Sequence, residues 1–319
     1  MSDYFVEKID SLQAEKFWLE SPNATAFTNP IILSYFKYDF EWWVGKKGDE
    51  LLCVWPVCLK NAKIVLPDFF YYFGPIWHGN FLKIPNHSWL PLSKNIYEGF
   101  IKKFSTNYKV ILAQLPPGLN DVRIFDWWNF NIKAKKRFLI KPKYTAIIKN
   151  LPSTSMHEIK MNFRYWRRNE LNKIKKEVNS LVKTDNYSLD EVLVFYEKTT
   201  GIKAKKYSSS INSLLELAKN NFGKIIAYRE KKNNQLASFM LVLFGKKDAN
   251  LVLSLVSETW KKKGLSVYMI LKCIALSKKM KFEIFDFNGA NSPNRGDDKH
   301  SYGACHELFF EIKYLEKSI

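Results

Sequence analysis

The 319-residue chain has little sulfur chemistry to offer: four cysteines, Cys53, Cys58, Cys273 and Cys305, with no C-x-x-C pair among them. Cys53 and Cys58 would point to opposite sides of one strand, which excludes a shared metal there. Isolated cysteines fit a reducing compartment. Histidine is equally sparse, and His78, His87, His157, His300 and His306 lack the spacing of a zinc site, so no metal is implied. No apolar run approaches a membrane span, and the opening MSDYFVEKIDS is acidic and lacks the apolar stretch of a secretory signal. A soluble cytoplasmic protein with no stable membrane insertion is therefore expected.

What the chain does hold is lysine and aromatic side chains. The formal net charge is +19 and the sequence pI about 9.5. That invites a polyanion: nucleic acid, a membrane surface or a phosphorylated small molecule. The lysines are spread along the chain rather than packed into a tail, and a solvated basic surface accounts for them equally well. Hydrophobic residues make up 46% and aromatics 16%, ample for large cores or lined pockets. The length exceeds the usual single core, so two domains are expected.

The order of elements repeats. In the first half, helices over 11–19 and 30–36 precede paired strands over 41–44 and 51–59, with a turn at 45–49. A strand over 69–77, a helix over 92–104, a strand over 110–115 that stops at Pro116-Pro117-Gly118, and a strand over 138–140 follow. Lys141-Pro142-Lys143 reads as a boundary. Beyond it come a strand over 144–148, a long helix over 155–179, helices over 189–200 and 211–220, and a meander of strands over 224–228, 237–244 and 250–257. A last helix spans 265–280. The expectation is two α+β domains, residues 1–142 and 143–319, each a mixed and largely antiparallel sheet flanked by helices, arisen by internal duplication.

Everything converges on one stretch, FEIFDFNGANSPNRGDDKHSYGACHELFFEIKY, residues 282–314. It reads as a strand, a polar loop rich in turn residues, and a second strand from 308, the arrangement on which sites are commonly built. An ordinary hairpin with a long connection has the same pattern. Upstream, the strand over 250–257 runs into ETWKKKGLSVYMI. Lys261, Lys262, Lys263, Gly264, Leu265 and Ser266 thus fall at a helix start, where outward amides and added lysines suit a pyrophosphate. On the helix over 155–179, Ile159, Phe163, Trp166 and Ile174 share one face, and Lys160, Arg164, Arg168 and Lys175 the other. Three of the chain's few arginines sit at Arg164, Arg167 and Arg168. The polar face is either simply solvated, or Arg164 and Arg168 hold phosphates in bidentate fashion.

The K-x-x-G-x-S run at 261–266 resembles the acyl-CoA loop of the GNAT acyltransferases, Q/R-x-x-G-x-G/A, with Lys261, Gly264 and Ser266 in its three positions. FDFNGAN followed by DDKHSYGA is similar to the C-terminal pattern of tandem-GNAT proteins, the group of the Fem-type peptidoglycan bridge-forming aminoacyltransferases and their relatives in polysaccharide gene clusters. Asp286, Phe287 and Gly289, then Lys299, Tyr302 and Gly303, match a strand ending D-F-x-G and a later F-K-x-x-F/Y-G, while Asp298 replaces the phenylalanine before the lysine. The resemblance covers about residues 143–314. It implies two GNAT-like domains with a substrate cleft involving both. The donor is an acyl-CoA in some members and an aminoacyl-tRNA in the Fem branch.

Amine attack on a thioester or ester needs a base, help for the developing oxyanion, and a held leaving group. Asp286 and His300 are the candidate bases; Asp286 could equally tie down the loop through backbone amides. Lys299 could hold a phosphate, stabilise transition-state charge or simply lie exposed. Asn288, Asn291, Arg295 and Tyr302, with Arg164 and Arg168, are the candidate substrate-binding residues. The leading expectation is an acetyl-CoA-dependent N-acyltransferase acting on an amino sugar, nucleotide-linked, in cell-surface polysaccharide biosynthesis. The alternatives are a Fem-type transferase taking aminoacyl-tRNA, and a polyanion-binding protein without chemistry. The sequence leaves the oligomeric state open.

Overall fold

The computed structural model describes residues 4–133 and 135–315. The chain forms two compact units, Met1–Tyr144 with Leu308–Ile319, and Thr145–Glu307. The division read from the sequence lay at 142/143, with everything after it in the second domain. The compact units instead divide at 144/145, and the segment from Leu308 returns to the first.

In the first unit, β1 (Tyr4–Ile9) is followed by α1 (Ser11–Glu20), α2 (Pro30–Ser34), β2 (Asp39–Lys47), β3 (Glu50–Lys60), β4 (Lys63–Val65), β5 (Ile76–Trp77), α3 (Asn86–Asn107), β6 (Val110–Gln114), α4 (Arg123–Trp127) and the start of β7 (Leu139–Ile148). Asp10 starts α1 with a capping box, accepting the Gln13 amide at 2.8 Å. Asn29 accepts the Ile31 amide and Pro30 takes the first position of α2. The sheet order is β1-β2-β3-β4-β6-β13, the last strand being Cys305–Leu315, with β5 on β3. Neighbours are antiparallel except β4 and β6. The core is aromatic: the buried Trp55 ring meets Tyr97, Phe100, Phe104 and Phe125 edge-on, with centroids 5.2–6.2 Å away.

The second unit continues β7 and adds α5 (Met156–Met161), α6 (Tyr165–Glu177), β8 (Leu181–Thr184), α7 (Leu189–Thr200), α8 (Ser208–Lys219), β9 (Gly223–Glu230), β10 (Leu236–Phe244), β11 (Asp248–Val256), α9 (Glu258–Lys262), α10 (Leu265–Lys279), β12 (Ile284–Asp286) and α11 (Pro293–His300), which leads into β13. The order is β7-β12-β11-β10-β9-β8, antiparallel except β11 with β12. β10, LASFMLVLF, is buried on both faces because α10 and α8 both pack on it. Both units are thus α+β, each a mixed, largely antiparallel sheet flanked by helices.

Several expectations need correction. The single helix over 155–179 is two, α5 and α6, broken at Asn162–Arg164. Ile159, Phe163 and Ile174 are buried, but Trp166 is 42% exposed. Lys141-Pro142-Lys143 lies inside β7 rather than between domains. Of the strand expected over 69–77, only Ile76–Trp77 is extended in a sheet, because Phe69 and Tyr72 adopt positive φ. The polar loop after β12 contains α11. Among the described residues no helix is long and apolar enough to cross a membrane.

Candidate active site

β11 and β12 pair over only three positions, Asp248 with Ile284, Ala249 with Phe285 and Asn250 with Asp286. β12 then ends while β11 runs on to Val256, so the strands part. The next tie is the Asn288 side chain, whose Nδ2 donates to the Leu251 carbonyl at 3.0 Å. Beyond it, no strand among the described residues pairs with the β12-side edge of β11, a row of backbone donors and acceptors open to an extended amide-bearing ligand. Two acceptors are buried at the parting without a hydrogen-bond partner among the described residues, Asn250 Oδ1 and Asn288 Oδ1. Buried polar atoms are ordinarily paired, so both mark a place where a donor belongs.

The loop leaving β12 is clamped from two directions. The Asp286 carboxylate, 5% exposed, accepts the Thr145 hydroxyl at 2.5 Å and the Asn288 amide at 2.7 Å through the same oxygen. This pulls Asn288 into the left-handed conformation, φ 55°, which asparagine tolerates. From the other side the Lys299 ammonium donates to the carbonyls of Asn288 and Gly289, the second at 2.6 Å. Burial lowers the Lys299 pKa to about 8, partly countered by Asp286 and reinforced by Arg295. Asp286 therefore ties down the turn, and Lys299 fixes the loop while presenting a half-buried charge.

His300, at the end of α11, places Nδ1 at 2.8 Å from the Ala304 carbonyl. A carbonyl only accepts, so Nδ1 carries the proton and Nε2 is left as the basic nitrogen. Tyr302, 1% exposed, is a core residue: it stacks on Phe287 (5.6 Å) and meets Phe163 edge-on. It shapes the site from inside instead of facing solvent, and burial pushes its hydroxyl pKa well up. Asn291 and Arg295 are exposed on the loop and α11, and no ion pair engages Arg295 among the described residues.

α6 joins this loop to the turn at Gly264. Arg164 pairs with Asp297 at 2.6 Å. Arg167 is buried, donating to Ser301 Oγ at 2.8 Å, to Glu170 at 2.9 Å and to Asp298, with its guanidinium over the Trp166 and Tyr302 rings. Arg168 faces elsewhere and donates to the Met161 and Phe163 carbonyls at 2.8 and 2.6 Å, closing the end of α5. The sequence reading gives a phosphate role to Arg164 and Arg168 and none to Arg167, which organises the cluster. The R-x-x-R-R spacing was the available signal.

Gly264 precedes α10 with φ 88°. A Cβ there would lie 2.8 Å from the Glu170 carbonyl oxygen, so the glycine serves the close approach of α6 and not, on that face, of a ligand. Leu265 is buried and Ser266 half-buried. Lys261, Lys262 and Lys263 are exposed, Lys263 pairing with Glu177 at 2.9 Å and Lys261 reaching Glu258 at 3.9 Å. No side chain caps α10, leaving its first amides to whatever binds there. The Gly264 turn meets α6 at Glu170, and the 286–302 segment meets it at Arg164 and Arg167, about one helical turn away. Among the described residues no cluster of His, Cys, Asp or Glu is grouped to hold a metal.

No family model matches the chain, and no curated protein matches it by sequence. Solved structures do. FemX superposes with a TM-score of 0.62 at 10% identity, over 97% of both chains. L-PGS from Bacillus licheniformis gives 0.57 at 13%, covering 98% of this chain and 94% of the other. A tandem GNAT protein from the clavulanic acid biosynthesis pathway gives 0.54 at 10%, covering 99% and 100%. These likenesses establish the fold: two GNAT-like units in one chain.

Proposed function

We propose that the chain is a GNAT-type acyltransferase that transfers an acyl group, acetyl in the simplest case, from acyl-CoA to the amine of an amino sugar, nucleotide-linked, for a cell-surface polysaccharide. The observation that carries this reading is the parting of β11 from β12 beside the uncapped, lysine-rich start of α10. Pantetheine is an extended chain with two amides, which the free edge of β11 can bond as an added strand. The diphosphate then meets the α10 amides with Lys261, Lys262 and Lys263. The thioester carbonyl comes to the parting, near Asn288. There the acceptor's amine attacks the carbonyl carbon and passes a proton to His300 Nε2. The C–S bond breaks and the departing thiolate is protonated. Lys299 holds the loop and lends positive charge beside the developing oxyanion. Arg295, exposed on α11, suits the acceptor's phosphates, with Arg164 at the start of α6 available by exchanging its Asp297 partner. The likeness to a tandem GNAT protein described without AcCoA supports an acyl-CoA donor.

A second reading, an aminoacyl-tRNA donor as in the Fem-type enzymes, is favoured by the +19 charge and the whole-chain likeness to FemX. One experiment separates them. Purified protein is given acetyl-CoA with a panel of amino sugars and UDP- or dTDP-amino sugars, and free thiol is followed. In parallel it is given aminoacyl-tRNA with and without RNase. Thiol release dependent on an amine supports the first reading; RNase-sensitive transfer supports the second. Neither product would overturn acyl transfer altogether.

A further inference from the structure

The first unit holds a cavity of about 550 Å³ that acyl transfer in the second leaves unused. It opens where β5 feeds α3 and where the chain leaves β6, and it is lined by Leu82, Asn86, Trp89, Tyr97, Asn120 and Asp121, with Arg123 at the rim. Its volume is that of a small-ligand site. One rim is rigid: in Pro116-Pro117-Gly118-Leu119 the Leu119 amide bonds the Pro116 carbonyl at 3.2 Å and Gly118 has φ 93°, a type II turn with proline and glycine in their favoured places.

Two features define what fits. The lining has no surplus charge, because Arg123 grips Asp121 through two hydrogen bonds, at 2.8 and 2.7 Å, which hold the Asp121 carboxyl below its usual range. That disfavours the phosphorylated ligands that the lysines beside α10 invite. The walls are also divided. Trp89, which meets Trp77 edge-on at 4.6 Å, and Leu82 give an apolar side. Asn86, Asn120, Asp121 and Arg123 give a fan of planar donors and acceptors. At the base lies Tyr97, 2% exposed, whose hydroxyl accepts the Trp77 indole N–H at 2.8 Å, while its own proton has no acceptor among the described residues. A buried hydroxyl proton left over in a cavity wants an acceptor from the occupant.

We infer that this cavity is a binding site for an uncharged sugar residue, its C–H face on Trp89 and its hydroxyls on Asp121, Asn86, Asn120 and Tyr97. A pyranose has the same division, one apolar face and a rim of hydroxyls that both donate and accept. The site does not depend on acyl transfer, and the two ideas fail separately.

Saturation-transfer difference NMR with the methyl glycosides of glucose, galactose, mannose and N-acetylglucosamine tests it, on the full chain and on Asp121→Asn, Asn120→Ala and Trp89→Ala. At least one glycoside should bind. Asp121→Asn should weaken it about tenfold or more, the scale of a lost charge-assisted hydrogen bond. Lys262→Ala should leave it unchanged. Asn120→Ala is a surface change and Asp121→Asn keeps the side chain's shape, so they decide the matter if Trp89→Ala loses its folded circular-dichroism spectrum. No binding by any glycoside, binding indifferent to Asp121→Asn and Asn120→Ala, or displacement by inorganic phosphate would each overturn the inference.

Discussion

In each unit a strand leads into a helix and the helix into a further strand, a neighbour in the second unit (β11 to β12) but not in the first (β5 to β6), and the two connections are built for different company. In the second unit β11 reaches α10 through Gly264, with Lys261, Lys262 and Lys263 just ahead of the helix. In the first, β5 reaches α3 through Pro85, an extended residue at the N-cap, and Lys83 is the nearest lysine ahead of it. One connection concentrates positive charge at uncapped amides; the other borders a cavity whose Asp121 and Arg123 neutralise each other. A repeated framework can thus keep its element order while the chemistry at corresponding turns diverges, since fold does not dictate site.

The comparison can be broken at its chemical end first. His300→Ala is expected to lower kcat in the thiol-release assay by about 100-fold or more, the scale of a lost general base. Activity within threefold of the parent would place the base elsewhere. Next is Gly264→Ala. Its Cβ meets the Glu170 carbonyl oxygen and its left-handed φ strains any other residue. Stability should fall by about 2 kcal/mol in urea unfolding. An unchanged midpoint would mean α6 yields at no cost.

Lys299→Met should cost about tenfold in kcat/KM, roughly 1.4 kcal/mol. It also tests a sign. Folding lowers the Lys299 pKa to about 8 from the 10.5 of a free lysine side chain. Between those values the unfolded chain binds more protons, so stability from this residue rises with pH across the window. Below pH 8 the folded state carries the full penalty of the buried charge. Activity that needs the ammonium should instead fall as pH passes about 8, and the Met variant should lose that descent. The smallest effect sharpens the contrast between connections: Lys262→Ala should raise KM for the donor about threefold and reduce its salt dependence, whereas Lys83→Ala should leave both unchanged. Equal responses would erase the contrast between the two connections.

Legibility followed periodicity. β10, β11 and α10 were readable because their apolar runs and the strand-to-helix change of period are unmistakable. α11 was not, because SPNRGDD is turn chemistry residue by residue; Pro293 at its first position was the one clue. β8 has only four residues, too few to carry an alternation. In the site, the residue types of 286–302 were apparent but their orientations were not. Asn288 and Tyr302 look like surface residues of a polar loop, yet both are buried, because Asp286 and Lys299 bond the loop's own backbone and draw it inward. Such long-range satisfaction of backbone groups leaves no periodic trace.

The return of the last strand has a consequence for synthesis. β6 is completed along one edge by β13, Gln114 facing Glu311 with Gln114 Nε2 donating to Glu311 at 3.0 Å, residues almost two hundred positions apart. A ribosome releases the first unit's sequence long before it can deliver that partner, so the nascent N-terminal half waits with an open β6 edge while the intervening unit is made. Fragments cut near residue 142 should inherit this exposed edge permanently and be prone to aggregate, so the two units are poor candidates for separate expression.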